Sequence, residues 1–217
     1  MKFKIQSSVL SILIVLAILL ATILYQVSDA NNMQRLFLKH GNFSEIPVDE
    51  AWAGKIAKNV TCYLSGIQKY MQIEYVGESG KASLFTQKEL SHMEDVKNLV
   101  SIAQFVFLLF TTLIIAIIYK IKEFSFKYFM LGLLSIALLA IFLVIFFNKN
   151  FDKAFIIMHK LLFTNYNWLL TPGEDVIISL MPTAYFKNAF DIIAQHFTIA
   201  FVSINFIVLM LIKKIKK

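Results

Sequence analysis

Four stretches of about twenty residues each, 9–27, 99–119, 128–147 and 192–212, contain no Asp, Glu, Lys or Arg. A helix needs about 20 mostly apolar residues to cross roughly 30 Å of hydrocarbon, and lipid offers no partner to a bare backbone N–H or C=O. Each stretch is apolar on all sides, so none reads as the amphipathic helix of a soluble bundle. The expected fold is an all-α membrane protein with four transmembrane helices in a single membrane domain. The first stretch is read as an uncleaved anchor. Ser28 and Ala30 make a passable small-residue cleavage site, but the apolar run exceeds the roughly 7–15 residues of a signal-peptide core.

Composition agrees. Hydrophobic residues make up 58% of the 217, against about 45–50% in soluble domains. The net charge of +7 raises the question of nucleic-acid binding. No basic stripe is interleaved with stacking aromatics, however, so no nucleic-acid partner is expected. A lone cysteine, Cys62, excludes an intrachain disulfide and any CxxC metal or redox motif.

Charge distribution sets an orientation. Residues 1–8, 120–127 and 213–217 share one side of the membrane and carry nine Lys against one Glu. Residues 28–98 and 148–191 share the other and carry 12 basic and 13 acidic residues. Short basic loops stay in the cytoplasm, so both termini are expected inside and the segments 28–98 and 148–191 outside. The cytoplasmic loop between spans two and three has about eight residues, too few for a domain. Chemistry is therefore expected at the outer leaflet.

The first outer segment predicts short helices over 33–40 and 47–65, the latter with Trp52, Ile56, Val60 and Leu64 on one face. Residues 70–76 and 82–85 flank Gly77, Glu78, Ser79 and Gly80, which suggests a small β-hairpin. Thr86 with Glu89 three residues on is a capping-box pattern, opening a helix that runs through His92 and Asp95 into the second span. The second outer segment predicts an interfacial helix over 148–164, then Tyr166 and Trp168 at headgroup depth. Thr171, Pro172 and Glu174 predict a cap, a first-turn proline and a carboxylate, starting a short helix to Leu180.

Among the polar residues, His40 lies in a polar stretch beside Lys39 and Gly41, and His196 sits one turn inside the fourth span beside Gln195. Either reads more simply as a surface or headgroup residue than as a functional one. His92 stands seven residues before the second apolar stretch, about 10 Å above it, at the depth of lipid esters. Asp95, one turn on along the same face, is placed to orient its ring, while a solvated His–Asp pair neutralised by Lys97 is the plainer reading. His159, set among apolar residues in the interfacial helix, reads as a packed histidine or as a partner of His92. A metal would need a third ligand such as Asp95 or Asp175, and no HExxH is present. No nucleophile-elbow motif is present either, and repeated halves or charged intramembrane residues of the transporter kind are missing.

Residues 85–97 (FTQKELSHMEDVK), 159–168 (HKLLFTNYNW), Thr171–Pro172, the run from Asp175 and the block from Pro182 to Phe186 resemble the two motifs of the lipoprotein intramolecular transacylases of Gram-positive bacteria. Met158 and Leu162 stand where that family commonly has aromatics. The resemblance implies a four-pass protein of the bacterial cell membrane whose substrate is a diacylated lipoprotein N-terminus, presented among membrane lipid. The sn-2 acyl chain of the diacylglyceryl-cysteine moves to the α-amino group of the same cysteine, giving the N-acyl S-monoacylglyceryl (lyso) form. It implies His92 and His159 as the catalytic pair and no cofactor. Asp95 and Asp175 join the supporting residues, with Asn165 as a candidate oxyanion support and Trp168 as an interface anchor. The alternatives are a lipid or lipoprotein ester hydrolase and a non-catalytic membrane scaffold.

Overall fold

The computed structural model describes residues 2–77, 80–121 and 123–215. Eight helices are present among them: α1 (Lys2–Ser28), α2 (Ala30–His40), α3 (Ala53–Leu64), α4 (Gln87–Lys120), α5 (Phe126–Lys149), α6 (Phe151–Leu162), α7 (Val176–Leu180) and α8 (Thr183–Ile215). Two single 3-10 turns, Phe43–Glu45 and Glu50–Trp52, precede α3. Strands β1 (Glu74–Gly77) and β2 (Gly80–Ser83) pair antiparallel, Glu74 opposite Ser83 and Gly77 opposite Gly80. The predicted turn residues Glu78 and Ser79 lie outside the described residues, as do Lys122, Lys216 and Lys217 of the charge count.

Among the described residues, four helices are long and apolar enough to cross a membrane: Phe3–Ser28, Gln87–Lys120, Phe126–Lys149 and Thr183–Phe206. Many of their apolar side chains are left bare, with Phe105 and Phe142 among the exposed residues, as lipid-facing surfaces require.

The chain divides into two compact units. The first holds Met1–Ile23, Gln104–Phe147 and Asp191–Lys217. Its buried cluster is Leu10, Val15, Phe129 and Leu133, with Ile114 and Phe201 packed against it. Small residues bring α1 and α5 close. Ser8 Oγ donates to the Tyr128 carbonyl at 2.9 Å, and the Ser125 amide donates to Ser7 Oγ at 3.0 Å. Gly132 completes the contact, because a Cβ there would lie 2.1 Å from Ser11 Oγ and 2.9 Å from the Ser8 carbonyl oxygen. Close approach through Gly and Ser is how apolar helices associate where no hydrophobic effect separates them from lipid.

The second unit holds Leu24–Ala103 and Asn148–Phe190. In it, α2 packs on α3 through Met33, Leu36 and Phe37 against Ala53, Ile56, Ala57 and Val60, all buried. Asp29 caps α2 by accepting from the Asn32 amide at 3.0 Å, so this helix begins three residues before the predicted start. Pro47 stays outside α3, whose entry is instead the 3-10 turn capped by Asp49 onto Ala51 N at 3.1 Å. The capping box opens α4 as expected. Thr86 N donates to Glu89 Oε2 at 2.7 Å and Glu89 N donates to Thr86 Oγ1 at 3.2 Å.

Two expectations are corrected. The interfacial helix starts at Phe151, because α5 continues to Lys149 and the chain breaks only at Asn150. The helix foreseen from Pro172 does not form there. Gly173 takes φ +82°, a left-handed conformation that ends helical continuation, and Thr171 N is claimed by Asp175 Oδ2 at 2.9 Å. The short helix begins only at Val176, with Asp175 at its N-cap.

The tight spacing at Gly132 predicts that Gly132→Ala forces α1 and α5 apart. The expected cost is about 1–3 kcal/mol, read as a lowered Tm of the detergent-solubilised protein. An unchanged Tm would mean that the helices part without loss.

Candidate active site

Both histidines of interest lie in the second unit. His92 falls two turns into α4, on the stretch 87–98. With Lys88, Glu89, Glu94, Asp95 and Lys97, that stretch stands outside the apolar run that follows. His159 occupies the last turn of α6. Their ring centroids are 6.1 Å apart. Each is nearly buried, at 7% and 8% exposure.

Aromatic rings make most of the wall. Phe155 lies 4.2 Å from the His159 ring and Trp168 5.1 Å on another side. Phe163 touches both imidazoles, edge-on to His92 at 5.1 Å and 5.6 Å from His159. Phe186, from the first turn of α8, backs Phe155 at 4.9 Å. Placing a charge in such a wall costs solvation, so the neutral imidazole is favoured. Burial pushes His92 down to about 4, with the neighbouring His159 adding to the shift and Asp95 opposing it. Burial also lowers His159, against the pull of its bond to a backbone carbonyl.

That bond sets the state of His159. Its Nδ1 lies 2.8 Å from the Phe155 carbonyl oxygen, which can only accept, so Nδ1 carries the hydrogen and Nε2 presents a lone pair. His92 differs. Its Nδ1 is buried and has no hydrogen-bond partner among the described residues.

The loop after α6 is stitched to α4 at two points one helical turn apart. Asn165 Nδ2 donates to Asp95 Oδ2 at 2.8 Å, and Asn167 Nδ2 donates to Ser91 Oγ at 2.9 Å. Asn165 Oδ1 also accepts from Asn167 N at 3.0 Å, closing the turn. Ser91 and Asp95 bracket His92, so these bonds fix the loop that carries Phe163 and Trp168 against the histidines. The sequence reading held Ser91, Phe163, Asn167 and Phe186 only as parts of its motif blocks, with no role assigned, and missed Phe155. The available signal was the pairing of an Asn-x-Asn run with a Ser and an Asp spaced four apart.

The other singled-out residues are placed as follows. Asp95 makes no hydrogen bond to His92 and acts on it only through space. Lys97 does not neutralise Asp95, since its Nζ donates to the Gln68 carbonyl at 2.9 Å and lies 4.2 Å over the Tyr63 ring. Asp175 accepts from Thr86 Oγ1 at 3.0 Å and stands 3.8 Å from Lys88 Nζ. It braces the start of α4 and bonds neither histidine. His40 ends α2 with Nε2 3.0 Å from Asn188 Oδ1, and His196 lies within α8. No group of three His, Cys, Asp or Glu placed to hold a metal exists among the described residues.

The site can move protons. It offers one imidazole lone pair of fixed tautomer and a second neutral imidazole beside it, in nearly buried aromatic surroundings. Comparison with known proteins gives the class. A family model, Lipoprotein intramolecular transacylase Lit, matches residues 8–186. The solved structure of the membrane-integral lipoprotein intramolecular transacylase Lit from Bacillus cereus shares the fold, with a TM-score of 0.75 and 23% identity over 99% of this chain and 98% of that one. No curated protein sequence matches significantly. With most of its length covered by that family model, the chain belongs to the lipoprotein intramolecular transacylase family, a family of acyltransferases.

Proposed function

We propose that this protein transfers the sn-2 acyl chain of a lipoprotein's diacylglyceryl-cysteine to the α-amino group of the same cysteine, with His92 and His159 moving the protons. The observation that supports this most is the pair of buried, neutral-biased imidazoles from two separate helices, 6.1 Å apart between centroids. In this reading the positive loops hold both termini in the cytoplasm and the site works at the outer leaflet of the cell membrane.

The reaction needs no co-reactant. The amine nitrogen attacks the sn-2 carbonyl carbon, forming the C–N bond, and loses a proton. The bond from that carbon to the glyceryl oxygen breaks, and the oxygen gains a proton. Nucleophile and ester belong to one molecule, so positioning alone contributes several kcal/mol. His159, with Nδ1 held by Phe155 O, offers Nε2 as the base. His92, kept neutral by burial, takes over the proton that His159 has removed from the amine and hands it to the departing alkoxide. Asp95 steadies the developing positive charge from a distance. Asn165 keeps one amide N–H beyond the one given to Asp95, and that hydrogen is available to the tetrahedral oxygen.

Mass spectrometry of a lipoprotein N-terminal peptide tests the pair. Lyso product is expected to fall by at least a hundredfold in His92→Ala and in His159→Ala. Normal yield in both variants would sink the mechanism, and release of free fatty acid without N-acylation would replace transfer by hydrolysis.

The depressed histidines also fix a pH dependence. Both are neutral at pH 7, so loss of activity on acidification starts with the substrate amine, whose ordinary pKa is about 7.7–8.0. The logarithm of kcat/KM is expected to rise with slope near one as pH approaches about 7.5 and to flatten near pH 8. A slope approaching two below about pH 6.5 would show a histidine titrating at its ordinary value.

For the supporting pair, Asp95→Asn is expected to lower turnover by about tenfold, and Asn165→Ala to lower kcat more than it raises KM. Full activity of both variants would remove these roles.

A further inference from the structure

Beside the histidine site, on the adjoining face of α4, lies a cavity of about 450 Å³. Its α4 wall carries Gln87, Ser91, Glu94 and Asn98, and Tyr70 and Gln72 of the segment before β1 line it from across. Three facts define its chemistry. The side-chain amides of Gln72, Gln87 and Asn98 are exposed to solvent and make no hydrogen bond among the described residues, and each offers both a donor and an acceptor. Its cations are partly engaged, with Lys97 held by Gln68 O and the Tyr63 ring and Lys69 5.0 Å over the Tyr70 ring. Glu94 adds a negative charge to the same wall. A site for a lipid phosphate would present free cations and no carboxylate. Solvated amides on both walls of one cleft suit the alternating N–H and C=O groups of an extended peptide.

Placement agrees. Asn98 is the last residue before the apolar stretch, and Gln87 lies eleven residues further out, about 16 Å along the helix. An extended chain covers that distance with about five residues. Ser91 neighbours His92 in sequence and is the residue that Asn167 clamps, so the cavity begins where the histidine site ends.

We propose that this cavity binds, through its backbone, the first few residues that follow the lipidated cysteine of the substrate. The proposal rests on the transacylase reading and adds to it a peptide subsite formed by Gln72, Gln87, Glu94 and Asn98. Recognition through backbone groups holds the chain without selecting its side chains.

The test compares two substrates on the full-length enzyme in nanodiscs: diacylglyceryl-cysteine amide, and the same cysteine extended by four residues. The extended substrate is expected to show a KM about tenfold lower with little change in kcat. In the Gln72→Ala/Gln87→Ala double variant that ratio is expected to fall below about threefold. Equal KM for the two substrates in the unmodified enzyme, or a ratio kept in the double variant, overturns the peptide subsite while lyso product from both leaves the transacylase reading standing. Lyso product from neither substrate with the unmodified enzyme overturns both.

Discussion

One buried carboxylate holds the start of α4 in place, and the site follows from it. Glu89 is 0% exposed. An ionised carboxylate so placed costs several kcal/mol unless its oxygens are met. Here Oε2 accepts from Thr86 N and Oε1 from Ile177 N at 2.5 Å. Burial pushes Glu89 up and these backbone bonds pull it down. Thr86 also donates to Asp175, which in turn holds Thr171 N. Helix start, the turn at 171–174 and α7 are thereby tied at one node, and His92 lies one turn beyond Glu89. Breaking the node would free the helix end that aims the imidazole.

The histidine site applies the same electrostatics with the opposite outcome. Burial around Glu89 is met by fixed N–H donors, so a polar group stays where water cannot reach. Burial around His92 meets no donor or acceptor at Nδ1, and the ring responds by favouring its neutral form. Asp95 receives an amide N–H from Asn165 in place of a cation. A lysine there would have cancelled its charge. Lys97 is drawn off by the Tyr63 ring and the Gln68 carbonyl instead.

Much of this was legible in the sequence, for identifiable reasons. Twenty-residue runs without charge have few alternatives to helices that cross a membrane, so the four helices could be read directly. The Thr86–Glu89 box was equally clear, since its spacing is a hydrogen-bond geometry. The helix foreseen at Pro172 failed because a local cap pattern carries no information on the backbone of the next residue, Gly173, nor on the distant claim of Asp175 on Thr171 N. The partner of Asp95 was invisible for a similar reason. Helical spacing offers His92 and Lys97 as neighbours, whereas the carboxylate is taken by Asn165, seventy residues away. His92 and His159 were singled out on depth and on resemblance, yet the aromatic wall between them needed the fold. Phe155 is one of 21 phenylalanines with nothing local to mark it, and Phe163 and Phe186 stood in the quoted motif blocks without a sign that they face the imidazoles.

That wall bears on selectivity between amine and water. An ester held beside two proton carriers in a wet cleft would be open to hydrolysis, and the acyl chain would be lost. The polar groups nearest the imidazoles are largely committed within the protein: the amides of Asn165 and Asn167 to Asp95 and Ser91, and Nδ1 of His159 to Phe155. Beyond His92 Nδ1, His159 Nε2 and the second N–H of Asn165, the surroundings are largely ring carbon from Phe155, Phe163 and Trp168. Few sites are left to order a water beside the ester, whereas the substrate carries its own amine in on the same molecule. In the proposed reaction, transfer is favoured over hydrolysis because the amine arrives on the same molecule as the ester, at a far higher effective concentration than an outside nucleophile held by few partners.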